Sequence, residues 1–103
     1  MATTERAEAV RAVVRSIPPG NVSTYGEIAH VVGVGARYVG WVMSTSSDLA
    51  WWRVVNSTGR AHTAAAQAHW DAEGIPYRED LVVLSECGLD AAELTAVTRQ
   101  SRT

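Results

Sequence analysis

The feature that most constrains this chain is a pair of helix signals separated by a glycine-bearing turn. Thr24-x-x-Glu27 has the form of a capping box, in which the threonine hydroxyl accepts from an amide of the first turn and the glutamate reaches back to the cap. It opens a helix running through Val32, with Ile28, Val31 and Val32 as its expected buried side. Gly33 and Gly35 then break the pattern, and residues 36–45 read as the next helix. Two helices joined in this way are the sequence form of a helix-turn-helix.

The flanking segments fit around that unit. Ala7, Val10, Val13, Val14 and Ile17 recur at helical spacing, and Pro18-Pro19-Gly20-Asn21 stops the run. Trp52-Arg53-Val54-Val55 is rich in strand formers and ends at a turn signal, Asn56-Ser57-Thr58-Gly59. A return strand after that turn would add a wing. Residues 63–73 are alanine-rich and helical, closed by Gly74 and Pro76, and residues 81–84 read as a short buried strand. Asp90-x-x-Glu93 caps a final helix that frays into a polar tail. With no repeat, linker or low-complexity stretch, residues 1–103 are expected to form one domain. The expected fold class is α/β, mostly helical, a single winged helix-turn-helix domain; spacing alone would also fit an unspecified small α+β domain.

At 103 residues and 47% hydrophobic, the chain is large enough to bury one core. No stretch approaches the roughly 18 apolar residues that a membrane span requires. The start, Met1 to Arg6, lacks secretory character, so a cytoplasmic protein is expected, bound to the bacterial nucleoid when on DNA. One cysteine, Cys87, and three scattered histidines (His30, His62, His69) offer no metal spacing. Neither a metal nor a cofactor is expected.

The net charge of −2 argues at first against nucleic acid, but the charge is unevenly distributed. Residues 15–60 carry four arginines against two acids, whereas residues 61–103 carry three arginines against seven acids. Every cation is arginine, a planar fork suited to phosphate or base edges, although a compositional bias of the genome gives the same pattern. The asymmetry permits one face to bind DNA. The acidic half is a candidate partner surface, a plain solvated face being the simpler reading.

Three separated motifs then become specific. Ile17-Pro18-Pro19-Gly20-Asn21-Val22-Ser23-Thr24-Tyr25-Gly26, followed by Ala36-Arg37-Tyr38-Val39-Gly40 and Ala50-Trp51-Trp52-Arg53-Val54-Val55, lie in order over about half the chain. This run resembles the DNA-binding domain of the O6-alkylguanine-DNA alkyltransferases, whose third motif is proline-cysteine-histidine-arginine-valine. Here Trp51 stands at the position of the nucleophilic cysteine and Trp52 at that of the activating histidine. An alkyl acceptor must be a polarisable nucleophile that a neighbouring base deprotonates, and an indole is neither. The resemblance is therefore closest to the alkyltransferase-like members, which bind O6-alkylguanine and pass the lesion to nucleotide excision repair. Ala50 replaces the family proline and Ser46 falls near its hinge asparagine, which are departures from the pattern.

The resemblance implies a role for each matching residue. Arg37 matches the finger that fills the gap left by an extruded nucleotide, a step that costs a few kcal/mol of stacking and pairing. Without its flanking motif it would read as a surface arginine on phosphate. Tyr25 matches the tyrosine that helps rotate the target phosphate, half-buried core being the competing reading. Ser23, Thr24, Ala36, Tyr38 and Gly40 complete the DNA-binding set, with Gly40 letting the helix backbone approach the minor groove. Tyr25, Trp51, Arg53 and the Val54 amide would form the lesion pocket, Arg53 either sensing the flipped base or bracing the pocket through a carboxylate. Trp52 and Trp70 are expected in the core, and the loop after Gly59 is expected to close one side of the pocket.

The implied function is non-enzymatic recognition of O6-alkylguanine in duplex DNA by nucleotide flipping. The partners would be lesion-bearing double-stranded DNA and nucleotide excision repair proteins, with no membrane, the protein acting as a monomer. A modest salt dependence is expected from so few cations. Two other readings remain: a winged-helix transcriptional regulator without lesion preference, and an enzyme, either a base-excising hydrolase or an alkyltransferase using Cys87.

Overall fold

The computed structural model describes residues 2–101, with side chains from residue 5 onward. Met1, the side chains of residues 2–4, and residues 102–103 with Arg102 and the end of the expected polar tail lie outside the described residues. The elements in order are α1 (Ala2–Ser16), β1 (Ser23–Thr24), α2 (Tyr25–Val32), α3 (Ala36–Thr45), a single 3₁₀ turn (Trp51–Arg53), β2 (Val54–Val55), α4 (Ala66–Glu73), β3 (Tyr77–Arg78), β4 (Leu81–Val82), α5 (Leu84–Cys87) and α6 (Ala91–Ser101). Among the described residues no helix is long and apolar enough to cross a membrane.

The helix-turn-helix forms as its residues dictate. Thr24 is extended and its hydroxyl accepts from the Glu27 amide at 3.1 Å, so α2 begins where the cap satisfies an otherwise orphaned donor. Gly33 adopts φ +85°, and the Gly33 and Val34 amides both return to the Ala29 carbonyl, closing α2 with a left-handed cap. Glycine enters that conformation without the strain a Cβ would bring. Helix α3 then presents Val39 and Val42 to the interior. The expected reach-back of Glu27 is corrected. Its carboxylate instead accepts from the Ala91 amide at 2.8 Å, so it caps α6 across the molecule. Asp90 and Glu93 do form a reciprocal box at the start of α6, at 2.9 and 3.0 Å.

Two apolar clusters lie on either side of the β1–β2 pair. One joins Val10, Val14 and Ile17 of the first segment to Ile28, Val39, Val42, Val54 and Leu94. The other gathers Val22, Val55, Ala66, Trp70, Ile75, Val82 and Cys87. Adjacent strand residues point to opposite faces, and Val54 and Val55 accordingly serve different clusters. This thin parallel ladder, Ser23 opposite Val54 and Thr24 opposite Val55, welds the helix-turn-helix to the second half of the chain.

The wing differs from its expected form. Residues 52–53 belong to the 3₁₀ turn rather than to a strand, and among the described residues no strand returns along β2. The Asn56 side chain accepts from Thr58 and Arg60 and turns the chain away, and Arg60 bridges Leu81 of the antiparallel β3–β4 ribbon. Gly59, at φ +95°, is required there because a Cβ would run into the Val82 carbonyl. The α4 helix starts at Ala66, with residues 63–65 in the preceding turn, and Leu84 opens α5 instead of extending the strand. The fold class is nevertheless the expected one: a mostly helical domain built on a helix-turn-helix, with a small ribbon beside it.

Candidate nucleic-acid interface

Helix α3 has a buried face and an exposed face. Val39 and Val42 are fully buried, while Ala36, Arg37, Trp41, Ser44 and Thr45 are exposed. Arg37, Gly40 and Ser44 follow one another at spacings of three and four and so share a face of the helix. That face borders a cavity of about 410 Å³ lined by Tyr25, Gly40, Met43, Ser44, Ser46, Trp51 and His62. Its volume lies in the range of roughly 300–1,000 Å³ that holds small-molecule-sized ligands. Arg37 stands one helical turn before Gly40, beside this opening.

Each wall is held from behind. Trp51 meets Trp52 edge-on at 6.0 Å and His69 edge-on at 5.7 Å, while Trp52 and His69 stack face to face at 3.8 Å. The Trp52 indole donates to Glu73 at 2.9 Å, and the buried Trp70 indole donates to the Trp52 carbonyl at 2.8 Å. Trp52 is thus a packed support and Trp51 the ring offered to the cavity. Tyr25, at the start of α2, is half-buried, and its burial raises the phenol above its ordinary value. The hydroxyl therefore stays protonated at neutral pH and able to donate. Across the cavity, a Cβ on Gly40 would meet nothing within 4 Å. Helix–helix packing does not demand glycine at this position; an approach from outside would.

Three of the expected site residues are placed elsewhere. Ser23 is fully buried and its hydroxyl donates to the Leu89 carbonyl at 2.6 Å, so its side chain joins the sheet to the segment between α5 and α6 rather than facing DNA. The Val54 side chain is buried and its amide donates to the Trp51 carbonyl, leaving it no free edge to read a base. Arg53 is not among the cavity-lining residues. Its guanidinium binds Glu73 through Nε at 3.0 Å and Nη2 at 2.6 Å and donates from Nη1 to the Ile17 carbonyl at 3.0 Å. Of its two expected roles, the geometry provides the carboxylate brace.

Burial alone would raise the Glu73 carboxyl, but hydrogen bonds from Arg53, Trp52 and the Gly20 amide, with the Arg53 charge, outweigh it and hold the group below its ordinary value. Thr24 spends its hydroxyl oxygen on the α2 cap. Ala36 is exposed at the start of α3, and Tyr38 is half-buried with its ring tilted against Trp41 at 5.7 Å.

Sequence reasoning did not single out Met43, Ser44 or His62 as lining residues. Met43 and Ser44 follow Gly40 by three and four positions, and that spacing was the available signal. His62 arrives from the loop after Gly59, the one expected to close one side of the pocket, although no local pattern marks the residue itself. Cys87 is 5% exposed within the second cluster, its sulfur directed at the Val83 carbonyl at 3.5 Å. Burial, then the neighbouring Glu86 charge, pushes its thiol up, away from the reactive thiolate. Among the described residues no group of histidines, cysteines and carboxylates could hold a metal ion.

These features define a class: a small helix-turn-helix domain whose second helix borders an aromatic-walled pocket. Residues 5–79 match the family described as 6-O-methylguanine DNA methyltransferase, DNA binding domain, and the chain belongs to that family. It is 48% identical over 54 residues to a DNA base-flipping protein of Vibrio parahaemolyticus serotype O3:K6 (strain AQ3810), covering 48% of this chain and 54% of that relative. It is 50% identical over 48 residues to Alkyltransferase-like protein 1 of Schizosaccharomyces pombe, covering 42% and 44%. The chain spans about half the length of the curated relatives it matches. Among solved structures it is similar to S. pombe Atl1, crystallised in complex with damaged DNA containing O6-carboxymethylguanine. The TM-score is 0.75 at 31% identity, covering 84% of this chain and 96% of that one.

Proposed function

We propose that this protein recognises O6-alkylguanine in duplex DNA by turning the nucleotide out of the helix, and that it holds the lesion without removing the alkyl group. The observation that carries the reading is Trp51: an indole walls the cavity, and the chain's single cysteine is buried in a separate cluster with its thiol raised. Binding there is reversible because no bond forms.

In this reading α3 docks in the minor groove, Arg37 enters the duplex, and its planar cation replaces part of the stacking lost on flipping. The extruded base lies against the Trp51 ring, with the protonated Tyr25 hydroxyl as a hydrogen-bond donor. Thr24 and Ala36 flank the strand at the starts of α2 and α3, and Gly40 lets the helix backbone come close. The reading is supported by family membership and by likeness to a structure solved on DNA carrying an O6-alkylguanine. The protein acts as a monomer, and the persistent complex is the signal handed to nucleotide excision repair.

The test is a binding titration on two duplexes identical except for one O6-methylguanine. The modified duplex is expected to bind tighter, and Trp51→Ala to erase most of the difference. Equal affinity for both duplexes would instead favour a transcriptional regulator of the same fold.

A further inference from the structure

The most exposed large hydrophobic side chain among the described residues is on the DNA-facing helix itself. Trp41 is 51% exposed, and its ring is steadied at an interplanar angle of 33° by Tyr38 rather than by either apolar cluster. A single exposed aromatic is ordinary on a protein surface, so what carries weight is where this one sits on the helix. At 3.6 residues per turn, Gly40 and Trp41 are about 100° apart, with Arg37 between them. The cavity lies on the Gly40 side. Trp41 therefore faces duplex flanking the target nucleotide, on the side away from the pocket. Arg37 is the single charged residue of α3, so no carboxylate on that helix repels phosphate around the indole.

We infer that Trp41 is a second, apolar wedge, which enters the minor groove at the base step beside the flipped nucleotide and partly unstacks it. Apolar side chains inserted from the minor groove open base steps at a cost that depends on the step: pyrimidine–purine steps yield easily and A-tracts resist. The wedge thus makes affinity depend on the sequence next to the lesion, a specificity that comes from deformability and not from reading base edges. The inference rests on the proposed docking of α3, and its test separates the two.

The experiment measures Kd for the intact protein, Trp41→Gln and Trp41→Phe on four duplexes. Each carries guanine or O6-methylguanine, with either a TA step or an A-tract adjoining it. The wild-type protein is expected to favour the TA-flanked duplexes. Trp41→Gln should lose roughly 5- to 150-fold in affinity for them, the range of one lost aromatic–base contact, and bind both contexts alike. It should keep its preference for the modified base, and Trp41→Phe should retain most of the context effect. A wild-type protein indifferent to context would overturn the wedge. So would a Trp41→Gln variant that binds every duplex as the wild type does, the outcome expected if the indole served a protein partner. If O6-methylguanine gives no gain with any protein, lesion recognition fails, and the wedge is judged on the unmodified pair alone.

Discussion

Arg53 and Glu73 form a nearly buried ion pair, Nη2 to carboxylate 2.6 Å, with side chains 15% and 13% exposed. The pair ties the turn that carries Trp51 to the end of α4, and through the Gly20 amide and the Ile17 carbonyl it reaches the end of α1. The Trp52 indole donates to the same carboxylate, so one acidic group holds both the ring wall and its support. The turn that carries Trp51 is thus held from behind, by groups that do not line the cavity.

Removing the charge of Glu73 should therefore act on stability first. Glu73→Gln leaves the Arg53 guanidinium largely buried without its counter-charge and is expected to cost about 3 kcal/mol in urea unfolding at pH 7. Glu73 has its folded value lowered, so the unfolded chain binds more protons and the pair's contribution is present above the ordinary value of 4.5. That contribution is lost as pH falls through the lower folded value. Unfolding curves from pH 6 downward should show this loss in the wild type, with the part due to Glu73 missing in Glu73→Gln.

Gly40 should separate folding from binding in the opposite direction. A Cβ there meets nothing within 4 Å, and alanine within a helix is worth about 0.5–1 kcal/mol over glycine. Gly40→Ala should melt no lower than the wild type, and slightly higher, yet bind DNA more weakly, because the added methyl stands on the face that borders the cavity. A thermal melt and a titration on the same samples check both halves.

Arg37 is exposed, so its loss should leave the melt unchanged. On the O6-methylguanine duplex, Arg37→Ala is expected to weaken binding by roughly 10- to 100-fold, as the extruded state loses the group that fills its gap. On unmodified duplex, where no gap is held open, the loss should be much smaller. An equal loss on both would mark Arg37 as a phosphate contact alone.

The local features of the fold were legible in the sequence, and the reason is their range. Thr24, Gly33 and the Asp90–Glu93 box act on residues three or four positions away, so their chemistry could be read in place. Glu27 obeys the same pattern yet serves Ala91, 64 residues on, because tertiary packing offered its carboxylate a helix start that needed a donor satisfied. The return strand failed for a related reason: the Asn56 turn and a strand at residues 81–84 were both visible, but that Arg60 would bridge Leu81, 21 residues on, is a tertiary pairing no local pattern shows. Within the site, Trp51, Tyr25 and Gly40 come from the motif and do line the cavity, whereas His62 is brought there by a loop. Ser23 and Val54 pair in the β1–β2 ladder, a structural place that a sequence match cannot tell from a contact with DNA.

In the proposed function the cavity holds an alkylated guanine and leaves its substituent in place. The most direct measurement is a prolonged incubation of the protein with excess duplex containing O6-methylguanine, followed by intact-mass analysis of the protein and nucleoside analysis of the recovered DNA. Unchanged protein mass and full recovery of O6-methylguanine are expected. Protein heavier by one methyl group, or DNA returned with plain guanine or a missing base, would mean that the protein does chemistry on the lesion instead of only holding it.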